Sequence, residues 1–345
     1  MPWTKIAVDH AVQDLSFAQE DKDKRMLSYG QALREALFQA LKRDPRVFLM
    51  GEGVDDPTGI FGSTLNLHKE FSGRVFDTPI AENAITGFAV GAALAGMRPV
   101  LVHMRMDFMP LSFDQILNHA AKIHYMSGGK VYVPLVIRSI IGRGWGSAAQ
   151  HSQSLHALFI HMPGIKVVMP AFAYDAKGLL LSSIADNNPV IFIEHRWLYD
   201  IKGYVPEQEY LIPIGKGLIR KQGKDVTVVA ISLMVIEALK ATEKLNHLGI
   251  DIEIIDPRSL NPFDEEIVID SVKKTGRLVI ADLGWRTGGI AEIVLGRIHN
   301  KIRPYLKSDV QTITLPDAPT PSSRRLEEAF YKDSTDIIKA VKETL

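Results

Sequence analysis

At 345 residues the chain is long enough for roughly two domains, each with its own core. Lysine plus arginine balances aspartate plus glutamate at 40 each, which leaves no basic field to attract nucleic acid or an anionic membrane. The chain has no cysteine, which excludes disulfides, thiolate metal sites and a cysteine nucleophile, and fits a reducing, cytoplasmic setting. The longest apolar run, about 14 residues over 84–97, is too short for a bilayer, which needs roughly 18.

The N-terminal stretch 1–25 carries acids throughout and has no apolar signal core, so it reads as an extension rather than a targeting peptide. A helix is predicted over 29–41, a strand over 47–50, then the glycine-containing loop GEGVDDPTGIFG. A short strand at 75–77 leads to Glu82 and the helix 84–97, and 99–104 reads as a buried strand. Phe113, Ile116, Leu117 and Ala120 have helical spacing, and that helix should stop at Gly128-Gly129. The next strand is expected at 131–137, with Pro134 arguing for an edge or irregular position. A glycine-rich loop, a helix from about 153, a strand at 165–169, a helix at 174–185 and a strand at 190–194 follow. The aperiodic stretch 195–213 reads as the connection to a second alternating series. There, strands at 226–231, 250–255, 278–282 and 310–315 alternate with helices at 235–248, 265–274 and 289–300, and terminal helices close the chain. Such alternation predicts two α/β domains with mostly parallel sheets, over 26–200 and 215–345, joined by 201–214.

No phosphate-loop, zinc-helix or nucleophile-elbow motif occurs, and GRGWG at 142–146 lacks the third glycine of a dinucleotide fingerprint. What remains is centred on PIAENAITGFAVGAALAGMRP, residues 79–99. A helix of Ala, Gly, Val and Leu all round should be buried on every face, with Glu82 at its mouth. An acid there either has its protonation controlled by a dry surrounding or simply complements the helix dipole. His151, His156 and His161 are five apart, a spacing that turns successive side chains by about 140° on a helix and so cannot make a metal face. His156 and His161 read as ordinary helix histidines. His151 follows the glycine-rich loop GRGWGSAAQ at the end of a strand. Ligands collect there in open α/β sheets, and an imidazole there can move protons, or pack locally.

The landmarks PIAE, TGFAVGAALAGMRPV, DQILNHAAK, YMSGG, AAQHSQ, ADNNPVIFIE, IPIGK, DVTVVAIS and IDPRSLNPFD, in this order, resemble one family from Leu27 to the C-terminus. It is the β subunit of the thiamine-diphosphate-dependent 2-oxo acid dehydrogenases, the decarboxylating components of the pyruvate, branched-chain and acetoin complexes. The resemblance implies a pyrimidine-binding domain followed by a transketolase C-terminal-like domain. It implies that Glu82 hydrogen-bonds a ring nitrogen of the cofactor's aminopyrimidine and favours its imino tautomer, with Met104 and Phe108 packed on that ring. His151 matches the active-site histidine thought to position substrate or supply protons during acyl transfer to a lipoyl group. Ser183, Asp186 and Asn188 match a loop that in some relatives holds K⁺, mainly through backbone oxygens. In relatives the diphosphate and Mg²⁺ sit on a GDG…N motif of a separate α subunit, and no GDG occurs here. An α partner, an α2β2 assembly and a lipoyl acyltransferase component are therefore implied.

The chain also departs from the family. Arg105 and Asp107 stand in HMRMDF, where F-M-T-F-N-F is common, and Ala84 replaces a usual glycine. Arg143 and Trp145 stand where small residues are usual. Arg105 and Arg143 are either solvated or salt-bridged, or they face a substrate larger or more anionic than pyruvate. The second possibility keeps open a split transketolase-like enzyme that moves a two-carbon ketol unit. A third reading, a non-catalytic scaffold chain, is opposed by the intact Glu82, Phe108 and His151.

Overall fold

The computed structural model describes residues 7–8, 25–142 and 146–345. Among these, 25–142 and 158–214 form one compact unit, and 146–157 with 215–345 form another. Both are α/β.

In the first unit, β1 (Val47–Gly51), β2 (Val75–Asp77), β3 (Arg98–His103), β4 (Val136–Ile141), β5 (Lys166–Val168) and β6 (Val190–His195) lie side by side. Their order is β2-β1-β3-β4-β6-β5 and every pairing is parallel. β1, β3, β4 and β6 are buried at every position, which is why they read as unbroken apolar runs rather than alternating ones. Helix α1 (Tyr29–Arg43) starts on a capping box in which Ser28 and Gln31 satisfy each other's backbone N–H groups, and Lys42 and Arg43 complement its last turn. Ala32, Ala36 and Ala40 with Leu33, Leu37 and Leu41 form its buried stripe, and the helix packs against α3 (Ala173–Ala185).

Two local expectations change and one is narrowed. Helix α2 (Glu82–Leu94) is not dry all round: Ile85, Thr86, Ala89, Val90 and Ala93 are buried, while Phe88 is 59% exposed and Leu94 43%. Composition reports how apolar a helix is, but only the neighbours supplied by the fold decide which faces are covered. Of the two positions that Pro134 suggested, edge or irregular, it takes the irregular one, in the stretch 131–135, which lies outside any strand. β4 begins two residues after it and lies between β3 and β6, so the missing N–H falls outside the ladder. The single helix expected from Phe113 to Gly128-Gly129 is broken into a π segment Gln115–Ala120 and the short helix Ile123–Met126, and a 3₁₀ segment Met106–Ser112 precedes it. The expected connection pairs locally, with Lys202–Tyr204 antiparallel to Met26–Ser28 and Tyr210–Leu211 parallel to Ala7–Val8.

The second unit holds β7 (Leu218–Lys221), β8 (Val226–Ala230), β9 (Ile252–Asp256), β10 (Leu278–Trp285) and β11 (Gln311–Leu315), in the order β7-β9-β8-β10-β11. Only the edge strand β7 is antiparallel. Helices α4 (Leu233–His247), α5 (Glu265–Thr275), α6 (Ile290–Ile302) and α7 (Ser334–Glu343) accompany the sheet. α5 ends where Gly276 takes φ 74°, with Lys273 and Lys274 in its last turn, the sequence signature of a helix stop. No helix among the described residues is long and apolar enough to cross a membrane.

Candidate active site

Two neighbouring strands of the first unit, β2 and β1, bring acids together at their carboxyl ends, where parallel sheets present ligand sites. β1 ends in Gly51, whose φ is 140° and whose position leaves no room for a side chain: a Cβ would lie 2.3 Å from the Val102 carbonyl oxygen. The chain then turns through Glu52, whose N–H donates to that same carbonyl at 3.3 Å. Gly53 N–H donates to Asp77 Oδ1 at 2.6 Å, and a Cβ on Gly53 would come within 2.7 Å of Met104 Cε. Glycine on both sides thus holds Glu52 between Asp77 and Met104. Glu82, at the first position of α2 and 7% exposed, completes the group.

The electrostatic result is a carboxyl that titrates near neutrality. Burial, then the charge of Glu82, then that of Asp77 push Glu52 from the ordinary 4.5 up to about 7. One of its oxygens, Oε1, is buried without a hydrogen-bond partner. Glu52 escaped the sequence reading because its neighbours come from other strands. The glycines on either side of it were the available signal.

Beneath Glu82, the hydroxyl of Thr86 and Nε2 of His103 lie 3.0 Å apart in the core and tie α2 to β3. Burial holds His103 down at about 4, so this bond is between neutral groups. Beyond His103, Met104 follows β3 directly and Phe108 lies in the 3₁₀ segment Met106–Ser112, and both are half-buried. Arg105 donates from Nη1 to the Gly142 carbonyl at 2.6 Å. Gly142 takes φ 79° against the ring of His195, to which a Cβ would approach within 2.7 Å. His195 Nδ1 accepts the Trp197 N–H at 3.2 Å, which puts its proton on Nε2. Burial first and then Arg105 push His195 down to about 3, so it is neutral at physiological pH. Arg143 lies outside the described residues.

His151 belongs to the second unit and is exposed, in a loop where Ala148 takes φ 55° and accepts the His151 N–H at 3.5 Å. His156 is no ordinary helix histidine. It is fully buried and its Nε2 lies 2.9 Å from Asp282 Oδ2. His161 is exposed just beyond the short helix His156–Ile160. In the 183–188 loop the Ser183 hydroxyl donates to the Leu179 carbonyl at 2.7 Å. The Asp186 carboxylate pairs with Lys166 and accepts from the Asn188 N–H, and the carbonyls of Ile184 and Asp186 each accept from Arg98 at 2.9 Å.

Comparison with known proteins matches two family models to the chain. Residues 25–202 match the transketolase pyrimidine binding domain and residues 215–337 the transketolase C-terminal domain. The chain is 43% identical to the acetoin:2,6-dichlorophenolindophenol oxidoreductase subunit beta of Cupriavidus necator, over 93% of this chain and 98% of that one. It is 42% identical to the pyruvate dehydrogenase E1 component subunit beta of Rickettsia felis, over 92% of this chain and 97% of that one. A solved structure described as a split gene transketolase, inactive beta4 tetramer, shares the fold with a TM-score of 0.74 at 24% identity, over 92% of this chain and 98% of that one. The chain belongs to the transketolase-related family of 2-oxo acid dehydrogenase β subunits.

Proposed function

We propose that this β subunit binds the aminopyrimidine half of thiamine diphosphate through Glu82, Met104 and Phe108, and that an α chain completes the site with the diphosphate and Mg²⁺. The observation that carries the proposal is the acid cluster at the ends of β1 and β2. A buried Glu82 beside a Glu52 that keeps a proton to about pH 7 suits a ring that must be protonated at one nitrogen and deprotonated at another. The unpartnered Glu52 Oε1 and the apolar flank of Met104 and Phe108 also fit such a ring. When bound, thiamine diphosphate supplies the nucleophilic carbon and the electron sink for decarboxylating a 2-oxo acid. Glu82 donates or accepts the proton at the ring nitrogen, in a surrounding dry enough to strengthen that hydrogen bond. Glu52 holds a second proton next to it. His151, in the second unit, serves acyl transfer to a lipoyl carrier.

Two features support a partner chain. No GDG motif is present for the diphosphate. Helix α2 exposes the large apolar side chains Phe88 and Leu94, which a partner chain would cover. The 183–188 loop has little left to hold a K⁺, because the side chains of Ser183 and Asp186 are engaged and the carbonyls of Ile184 and Asp186 accept from Arg98. On the substrate side, Arg105 is bonded to the Gly142 carbonyl, so this cation braces the loop before Arg143.

The test is co-purification with the neighbouring α chain, followed by turnover of a panel of 2-oxo acids and ketose phosphates with thiamine diphosphate and Mg²⁺. The expected result is 2-oxo acid turnover by the complex and none by the β chain alone. Robust decarboxylation by the isolated chain, or turnover of ketose phosphates only, overturns the proposal.

A further inference from the structure

In the second unit, the segment bearing His151 is anchored by a polar contact that the reaction as described does not use. His156 Nε2 and Asp282 Oδ2 are 2.9 Å apart, both side chains are 1% exposed, and 126 residues separate them in the chain. Asp282 lies on β10, which is flanked by β8 on one side and β11 on the other. The same oxygen of Asp282 accepts the Gly284 N–H at 3.0 Å, which fixes the carboxylate. Gly284 leaves the pair no slack, because a Cβ there would lie 2.6 Å from Asp282 Oδ2 and 3.0 Å from His156 Cε1. Among the described residues, His156 Nδ1 and Asp282 Oδ1 have no hydrogen-bond partner. A buried ionisable pair with two unused polar atoms is a poor way to gain stability, since an apolar pair of equal volume does as well or better. What such a pair does supply is direction: the hydrogen bond fixes where the imidazole and its backbone sit on the strand.

We infer that His156 and Asp282 are positioning residues for His151. The pair holds the chain five residues downstream of His151 to β10, and so fixes the loop that presents the exposed imidazole. This rests on His151 serving acyl transfer. The pair touches no substrate, and its effect is confined to the step that needs His151.

The experiment uses the reconstituted α–β complex with two readouts. Reduction of 2,6-dichlorophenolindophenol reports decarboxylation, and acylation of an isolated lipoyl domain reports acyl transfer. The variants are His156→Phe, Asp282→Asn and the double variant His156→Phe/Asp282→Leu, which removes both buried polar partners. The inference predicts that the two single variants lower lipoyl acylation at least about tenfold, with dye reduction and the KM for the 2-oxo acid within about threefold. In the double variant, Tm returns to the wild-type value while acylation stays low. Equal loss of both readouts in the folded single variants, or recovery of acylation together with Tm in the double variant, means a purely structural pair and overturns the inference. If the single variants do not fold, the double variant alone decides. If the double variant also fails to fold, Gly284→Ala replaces it: both side chains are kept but crowded, and acylation must fall selectively. His151→Ala separates the two claims. Normal acylation in that variant removes the role of His151 itself, whereas a loss there with normal His156 variants removes only the positioning role.

Discussion

Replacing Glu52 with glutamine keeps the shape of the side chain and removes the one ionisation that the acid cluster resists. The carboxyl ordinarily titrates at 4.5 and here at about 7, because burial, then Glu82, then Asp77 oppose its charge. A rise of that size corresponds to roughly 3 kcal/mol at full strength. Glu52 is only about half buried, so solvent screening reduces the effect to about 1.5 kcal/mol. The sign follows from proton counting. Between pH 4.5 and 7 the folded protein holds a proton that the unfolded chain has released, so stability falls as pH rises across this window and levels off above it. Glutamine cannot ionise and escapes that loss. Glu52→Gln and the wild type should therefore unfold together near pH 4.5, and the variant should be more stable at pH 8 by about 1.5 kcal/mol, or a Tm higher by roughly 3–6 °C. The assay is a series of paired thermal melts of the two proteins from pH 4.5 to 8.5, read as the difference at each pH so that other titrations cancel. A constant difference across that range, or a variant less stable at pH 8, would refute the account of the cluster. Glu82→Gln with Glu52 retained should shift the midpoint of the Glu52 titration to lower pH, because it removes the second cause of the rise.

Glu82→Gln is also expected to lower 2-oxo acid turnover at least about a hundredfold in the α–β complex, while the far-ultraviolet spectrum is retained; near-normal turnover contradicts the assignment. His103 and His195 are held neutral at about 4 and about 3, so the unfolded chain binds their protons first as pH falls below 6.5. Stability from this source is present above that pH and is lost toward pH 4, and His195→Asn should flatten acid unfolding in melts between pH 7 and 4; an unchanged acid limb counts against the buried neutral imidazole. Arg138, fully buried, binds Glu194 through two hydrogen bonds of 2.6 and 2.9 Å and also donates to the Ser63 hydroxyl. Arg138→Met removes the countercharge of Glu194, to which the Tyr199 hydroxyl still donates, and should cost about 3–5 kcal/mol in urea unfolding, and Arg138→Met/Glu194→Leu should recover most of it; a single variant that costs under about 1 kcal/mol overturns this reading.

Much of the architecture was legible before any coordinates, and for local reasons. Strands buried on both faces are continuous apolar runs, so β1, β3 and β6 stood out, and the stripe of α1 and the glycine stop of α5 are short-range patterns. Motif order carried the family, and with it Glu82, Met104, Phe108 and His151 as candidates. Where backbone preference and tertiary contact compete, the reading slipped. The segment from Phe113 has helical apolar spacing, which predicts one helix, yet it folds into a π piece and a short α piece. The open face of α2 was taken for a buried one, because Phe88 and Leu94 are as apolar as the residues that are covered.

What sequence alone determined is therefore the alternation, the two-domain α/β class, the family and the identity of the acid at the mouth of α2. Tertiary structure decided the chemistry around that acid. Glu52 titrates near pH 7 because the fold buries it and because α2 brings Glu82, and parallel β1 and β2 bring Asp77, to its side. His156 is a buried anchor only because β10 delivers Asp282 from 126 residues away. Periodicity is set by neighbours along the chain, whereas burial, charge and hydrogen bonding are set by neighbours in space.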